Sequence, residues 1–175
     1  SFEKQWMVAD NSAFEIIGKT NINKFHCQSV GFTGMDTISE VFYGQKNLSE
    51  FNGGISLKAK AFDCNNRAMT RDFEQTIKAN EFPELRIVFS RLKQHESKVA
   101  LITGVIEVTV AGKTKISAVT ASLSSDKNGS KHIEGSYFVR FSDFEIEPPR
   151  KLLGAVRVED KFLVRFHLVL REIGV

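Results

Sequence analysis

Proline is scarce in this chain of 175 residues: there are three, at positions 83, 148 and 149. Proline removes a ladder donor, so its scarcity leaves room for long uninterrupted strands. No apolar run reaches the roughly 18 residues of a membrane-crossing helix. The two cysteines, Cys27 and Cys64, do not form a CxxC pair, which argues against a dithiol redox motif or a zinc site. The formal charge of +3 comes without a Lys/Arg block or aromatic-basic interleaving, so no nucleic-acid partner is expected. HExxH, GxSxG, Walker and dinucleotide-binding glycine patterns are all missing. The four histidines, His26, His95, His132 and His167, are scattered, with His95 and His132 read in turns and His167 on the polar face of the last strand. Glu145 and Glu147 stand beside Pro148-Pro149 and read as a solvated loop rather than a glycosidase pair. The expectation is a non-catalytic protein with no cofactor and no metal.

What the chain does have is phenylalanine, fifteen against one Trp and two Tyr. Phenylalanine brings apolar area without a polar handle, which suits a thick core or the lining of an apolar cavity. With 42% hydrophobic and 26% charged residues the composition is globular, and the length suits one domain spanning 1–175.

The stretch from Ala61 to Phe89 organises the rest. Before it, Ile55, Leu57, Ala59 and Ala61 alternate with Ser56, Lys58 and Lys60, the pattern of a strand with one buried and one wet face. Between Thr70 and Ala79 the pattern turns helical, with Thr70 as N-cap, Asp72 and Glu74 near the positive end of the dipole, and Phe73 and Ile77 on one face. Glu81-Phe82-Pro83 ends that helix. A lone helix of this kind in a strand-rich chain suits the plug of an open barrel end. Arg71-Asp72 at its start reads either as an anionic head-group site at the helix N-terminus or as a capping and bridging pair.

Elsewhere strands are expected over Gln5–Ala9, Ala13–Lys19, Phe25–Thr33, Leu85–Phe89, Val99–Val110, Thr114–Ser124, Ile133–Ser142 and Arg157–Arg171, with turns at 10–12, 93–98 and 126–129. Gly104 suggests a bulge or bend in a long strand. Met35 to Asn52 has mixed polarity and no sustained period, and reads as a long loop with a strand-like Val41-Phe42-Tyr43. Arg150 to Gly154 suits one helical turn. The fold expected is all-β, a lipocalin-like closed antiparallel meander barrel of about eight strands with one short helix plugging an end. Cys27 and Cys64 each lie near a strand end and are read either as a disulfide, which adjacent strands and an oxidising compartment permit, or as two small buried hydrophobes. A start at Ser1 fits a mature exported protein, and a trimmed chain would begin the same way.

Taken in order, the pieces resemble the YceI-like family. They are Trp6 with Asp10-x-Ser12, Arg71-Asp72 in a short helix, Phe82-Pro83 leading to Ile87-x-Phe89, and Gly104 opening a strand that reaches Ala111-Gly112-Lys113-Thr114. Phe138-x-Arg140 leading to Asp143-Phe144 and a last strand after Val158-Glu159-Asp160 complete the set. The resemblance implies a lipocalin-like barrel, usually exported to the periplasm, whose lumen holds a polyisoprenoid, quinone-type or other amphiphilic lipid. This chain departs from the pattern at Glu145, where a glycine is common after Asp-Phe, in a longer Gly34–Gly53 loop, and at Pro148-Pro149 followed by Lys151-Leu152-Leu153-Gly154. Candidate lining residues are Ile55, Leu57, Ile87, Phe89, Ile102, Ile106, Phe162, Val164, Phe166 and Leu168, with Phe73, Ile77 and Phe82 closing one end and Arg71 available for a head group. Two readings follow: a periplasmic or secreted carrier of a lipid-like chain, or a packed barrel that acts through its long loop or as a homodimer.

Overall fold

A computed structural model describes residues 2–30, 36–151 and 155–173. Among them are twelve strands: β1 (Glu3–Val8), β2 (Ala13–Thr20), β3 (Lys24–Ser29), β4 (Thr37–Tyr43), β5 (Leu48–Lys58), β6 (Phe62–Asp63), β7 (Glu84–Gln94), β8 (Leu101–Val110), β9 (Lys113–Ser125), β10 (Lys131–Arg140), β11 (Arg150–Lys151) and β12 (Val156–Glu172). One α-helix, α1 (Arg67–Thr76), lies between β6 and β7, and short 3-10 turns cover Ala59–Ala61 and Phe141–Phe144. The strand expected to run to Thr33 ends at Ser29, and residues 31–33 lie outside the described residues, as does Gly34. Arg150–Lys151 is a short strand rather than a helical turn, and 152–154 are likewise outside.

All pairings are antiparallel, and eight strands close a ring in the order β1, β4, β5, β7, β8, β9, β10, β12 and back to β1. The result is a lipocalin-like barrel plugged by a short helix. Its order departs from a plain meander at one place: β2 does not neighbour β1 but pairs with β12 and carries β3 and β6 as an extension. Strand β12 makes this workable. One edge pairs with β10 from Lys161 to Leu170, while the other takes β2 (Thr20 to Ala13) and then β1 (Val8 to Trp6). Between β1 and β2 the chain kinks at Asp10-Asn11, and the buried Ser12 hydroxyl accepts the Val169 N–H at 2.9 Å, filling the gap in the ladder. That role accounts for the serine in the Asp10-x-Ser12 piece.

Of the segment read as a loop from Met35 to Asn52, Met35 lies outside the described residues and the rest is not a loop. It is the β4–β5 hairpin, paired from Ile38–Gly53 to Tyr43–Leu48 and turning through Gly44 and Asn47, both at positive φ. Its inward positions include Glu40 and Ser49 and its path includes Gly53, so alternation could not reveal it. A Cβ at Gly53 would sit 2.7 Å from the Thr37 carbonyl oxygen. Gly104 has a similar role. The bulge lies not on its own strand but opposite, on β7 between Ser90 and Lys93, with Arg91 at φ 53°. A Cβ at Gly104 would lie 2.5 Å from the Arg91 carbonyl oxygen.

The helix N-cap lies four residues earlier than expected. Asn66, not Thr70, is its N-cap, accepting the Met69 N–H at 3.1 Å, while the Thr70 hydroxyl accepts the Cys64 N–H at 3.0 Å. Cys64 is joined to Cys27 on β3 by a disulfide, which fixes the leading end of the helix to the sheet. Glu145, where glycine is common, has φ 55°, the left-handed region that glycine enters without steric cost. Lys113 lies 2.9 Å from its carboxylate and holds its pKa below the usual carboxylate range.

The end of the barrel away from the helix is closed by a polar group. Glu40 on β4 has 0% side-chain exposure, and its carboxylate accepts from Trp6 Nε1 at 2.9 Å, Ser49 Oγ at 2.6 Å and Lys131 Nζ at 2.7 Å. Lys131 also stands over the Trp6 and Phe51 rings. Removing one partner of a buried pair leaves the other charge uncompensated, which costs more than the pair itself contributes. Lys131→Met is therefore expected to destabilise the barrel by about 3 kcal/mol in urea unfolding. A loss under about 1 kcal/mol would show that water compensates Glu40.

Candidate functional site

The lumen between the helix and the barrel's mid-level contains a void of about 50 Å³. Strand alternation lines its wall: Phe14 and Ile16 from β2, Leu57 from β5, Leu85 and Ile87 from β7, Val108 and Val110 from β8, Tyr137 and Val139 from β10, Phe162 and Val164 from β12. The helix-side end is roofed by Phe62, by Phe73 and Ile77 of the helix segment, and by Phe141, Phe144 and Ile146 of the turn after β10. Below the void, the Phe89 and Phe166 rings meet at 5.4 Å between centroids. The Phe166 ring lies over Gly135, where a Cβ would come within 2.7 Å of it. These rings form a floor.

The structure divides the candidate residues into three groups. Leu57, Phe73, Ile77, Ile87, Phe162 and Val164 line the void. Phe89 and Phe166 point inward and form the floor, and Ile55, Ile102, Ile106 and Leu168 are packed below it in the filled half of the barrel. Phe82 and Arg71 are elsewhere. Phe82 is 37% exposed and packs against Gly112 of the β8–β9 turn, outside the lumen. With the helix starting at Arg67, Arg71 falls in its second turn and is exposed, lining one polar cleft with Asn65, Asn66 and Arg67 at the helix start and another with Lys60, Lys78 and Asn80. Neither cleft shares a lining residue with the apolar void.

Eleven residues that line the void were not among the candidates: Phe14, Ile16, Phe62, Leu85, Val108, Val110, Val139, the roof residues Phe141, Phe144 and Ile146, and Tyr137, which among the described lining residues carries the polar group. Tyr137 was legible as an inward position from its alternation with Val139. Phe141 belongs to the same alternation, whereas Phe144 ends, and Ile146 follows, a 3-10 turn over Phe141–Phe144 in which Asp143 accepts the Arg140 N–H at 2.8 Å, and no strand period reveals those two. Among the described residues, the Tyr137 hydroxyl is a buried side-chain polar atom without a hydrogen-bond partner. Burial pushes its pKa well above the ordinary phenol value, so it remains a neutral donor.

A second polar cluster lies on the outer surface. His132, which is on β10 rather than in a turn, has Nδ1 2.7 Å from His167 Nε2 and Nε2 2.8 Å from the Asp126 carboxylate, while Glu134 lies 3.4 Å from His167 Nδ1. The His132 hydrogen bond is the main reason that the Asp126 carboxyl sits below its usual pKa. Among the described residues, no group of three or more His, Cys, Asp or Glu side chains is arranged to hold a metal ion.

The fold and the void define a class: an antiparallel β-barrel with an apolar, helix-roofed lumen. No family model and no curated protein matches the sequence. Among solved structures, the chain is similar to Burkholderia cenocepacia BcnA at 16% identity and TM-score 0.71, over 93% of this chain and 98% of that one. It is also similar to a polyisoprenoid binding domain from Saccharophagus degradans implicated in plant cell wall breakdown, at 7% identity and TM-score 0.65, over 98% and 100%. A Campylobacter jejuni YceI protein aligns at 16% identity and TM-score 0.57, over 90% and 85%. The fold is the YceI-like fold.

Phe73 is the helix's largest buried contribution to the roof, whereas Arg71 is exposed. Phe73→Ala is expected to lower stability by about 3–5 kcal/mol. Arg71→Ala is expected to change it by less than about 0.5 kcal/mol. Urea unfolding of both variants checks this, and equal effects would contradict the assigned faces of the helix.

Proposed function

We propose that this protein is an exported lipid-binding barrel that takes an isoprenoid or other amphiphilic chain into its lumen, for transport, storage or sequestration. The observation that carries the reading is the void itself, walled by aliphatic and aromatic side chains and roofed by a helix. An isoprenoid tail offers apolar surface only, so its burial contributes roughly 25 cal/mol per Å² without directional bonds. The YceI-like fold, shared with a domain described as polyisoprenoid binding, supports the same reading. The disulfide supports export, since such bonds persist in oxidising compartments.

A void of about 50 Å³ is far below the roughly 300–1,000 Å³ of sites that bury drug-sized ligands. Uptake therefore involves displacement of the roof, with Phe62 and Phe73 turning aside and the trailing half of the helix lifting. The disulfide holds the leading half in place. Cutting the tie is expected to cost about 4 kcal/mol by loop entropy for its sequence separation of 37.

The small void also favours a second reading, a packed barrel that works through its surface. Ile116 and Phe138, 61% and 60% exposed on the outer faces of β9 and β10, would then contribute to a homodimer contact. Native mass spectrometry of protein from its own host, with analysis of the organic extract, separates the two. A stoichiometric isoprenoid or fatty-acyl adduct is expected. A bare polypeptide mass together with concentration-dependent dimerisation by light scattering would favour the packed barrel.

Val164→Phe would fill the void from the wall. It is expected to abolish chain uptake at a stability cost of about 1–3 kcal/mol. Full binding by that folded variant would place the ligand outside the lumen.

A further inference from the structure

The geometry points to Tyr137 as the hydrogen-bond donor that reads a neutral oxygen acceptor, such as a carbonyl, on an otherwise apolar lumen ligand. This rests on the lumen-binding reading and names the chemistry that reading leaves open. Tyr137 stands opposite Val164 in the β10–β12 ladder and projects into the barrel, with its ring 6.4 Å from that of Phe166, so it stands next to the floor of the void. Its hydroxyl is buried and has no partner among the described residues. A phenol buried without a bond costs about 1–3 kcal/mol relative to one that is satisfied, and phenylalanine would fill the same space without that cost.

Two simpler ways of satisfying the hydroxyl fit poorly. The β10 backbone at Tyr137 is engaged with β12, its ladder with β9 ends at Gly135, no protein group among the described residues bonds the hydroxyl, and the other side chains that line the void carry no polar atom. A water in the void would find Tyr137 as its lone side-chain partner, whereas buried waters typically make two to four bonds. The remaining partner is a group that arrives with the ligand.

The charge of that group follows from its surroundings. Among the described residues, no Lys, Arg or His lines the void, so a carboxylate or phosphate there would be desolvated without a counter-ion, a cost that a single phenol does not offset. A ketone, quinone or ester oxygen carries no such penalty. Burial also keeps the phenol protonated, so it donates across the physiological range.

The test uses three probes of similar chain: geranylacetone, the same hydrocarbon without its carbonyl, and geranic acid. For the wild-type protein the ketone is expected to bind about tenfold more tightly than the hydrocarbon, the ratio equivalent to one net hydrogen bond. Its carbonyl stretch is expected to move to lower wavenumber. Tyr137→Phe is expected to remove both the preference and the shift, and to leave the ligand-free protein at least as stable as wild type. If Tyr137→Phe keeps the ketone preference, or if wild type shows none, the assignment is overturned while lumen binding stands. Tighter binding of geranic acid than of the ketone would overturn the neutral-acceptor part. Failure of wild type to bind either the ketone or the hydrocarbon would overturn the lumen reading and the assignment with it.

Discussion

Everything in this barrel depends on both edges of β12 being occupied. A strand of 17 residues with one bare edge would expose a long row of unpaired amides and carbonyls. Here one edge belongs to β10 and the other is shared end to end by β2 and β1. The kink between those two strands would leave the Val169 amide orphaned, and the Ser12 hydroxyl takes its place. With the ring closed, each inward side chain must be apolar or bring its own partner. Glu40 meets that requirement with Trp6, Ser49 and Lys131, the packed aromatics meet it by being apolar, and the Tyr137 hydroxyl finds no partner among the described residues.

The two ends of the barrel are closed by different physics. At one end a charged group is pinned by short hydrogen bonds, an arrangement that does not rearrange without exposing a buried carboxylate to an unpaired state. At the other end the roof is a ten-residue helix that inserts Phe73 into the core, tied down by a disulfide at its start. Dispersion and burial hold that end, and such contacts can re-form around a different apolar partner. The filled half, with Phe89, Phe166, Ile106 and Leu168, separates the rigid end from the adaptable one.

Much of this was legible in the sequence because period-2 alternation is strong in the long strands. The inward set of β12, from Phe162 through Val164 and Phe166 to Leu168, reads directly from its pattern, and so do Ile55, Leu57, Ile87 and Phe89. What alternation cannot encode is depth. Phe162 and Phe166 are equivalent in pattern, yet one lines the void and the other forms its floor, because Gly135 lets the Phe166 ring lie across the lumen. The β4–β5 hairpin was hidden for a related reason: its buried positions include Glu40 and Ser49, whose partners are distant in sequence. The helix boundary moved because Asn66 caps it while Thr70, the residue with the conventional signature, bonds back to Cys64. Arg71 was misplaced as a consequence of that shift, and Phe82 because a residue before proline can turn outward onto the Gly112 turn as readily as inward.

The pinned carboxylate end has a kinetic consequence. Among the described residues, Glu40 and its partners seal that side and aromatic rings fill the half above it, so the lumen is a blind cup that opens toward the helix. On the proposed lipid-binding reading, a ligand in such a cup would be replaced rather than pushed through: the resident molecule would have to leave before the next could enter. Exchange would then proceed at the pace of departure alone, indifferent to how concentrated the incoming molecule is. Handover to a recipient would depend on what loosens the doorway, not on how crowded the queue outside it becomes.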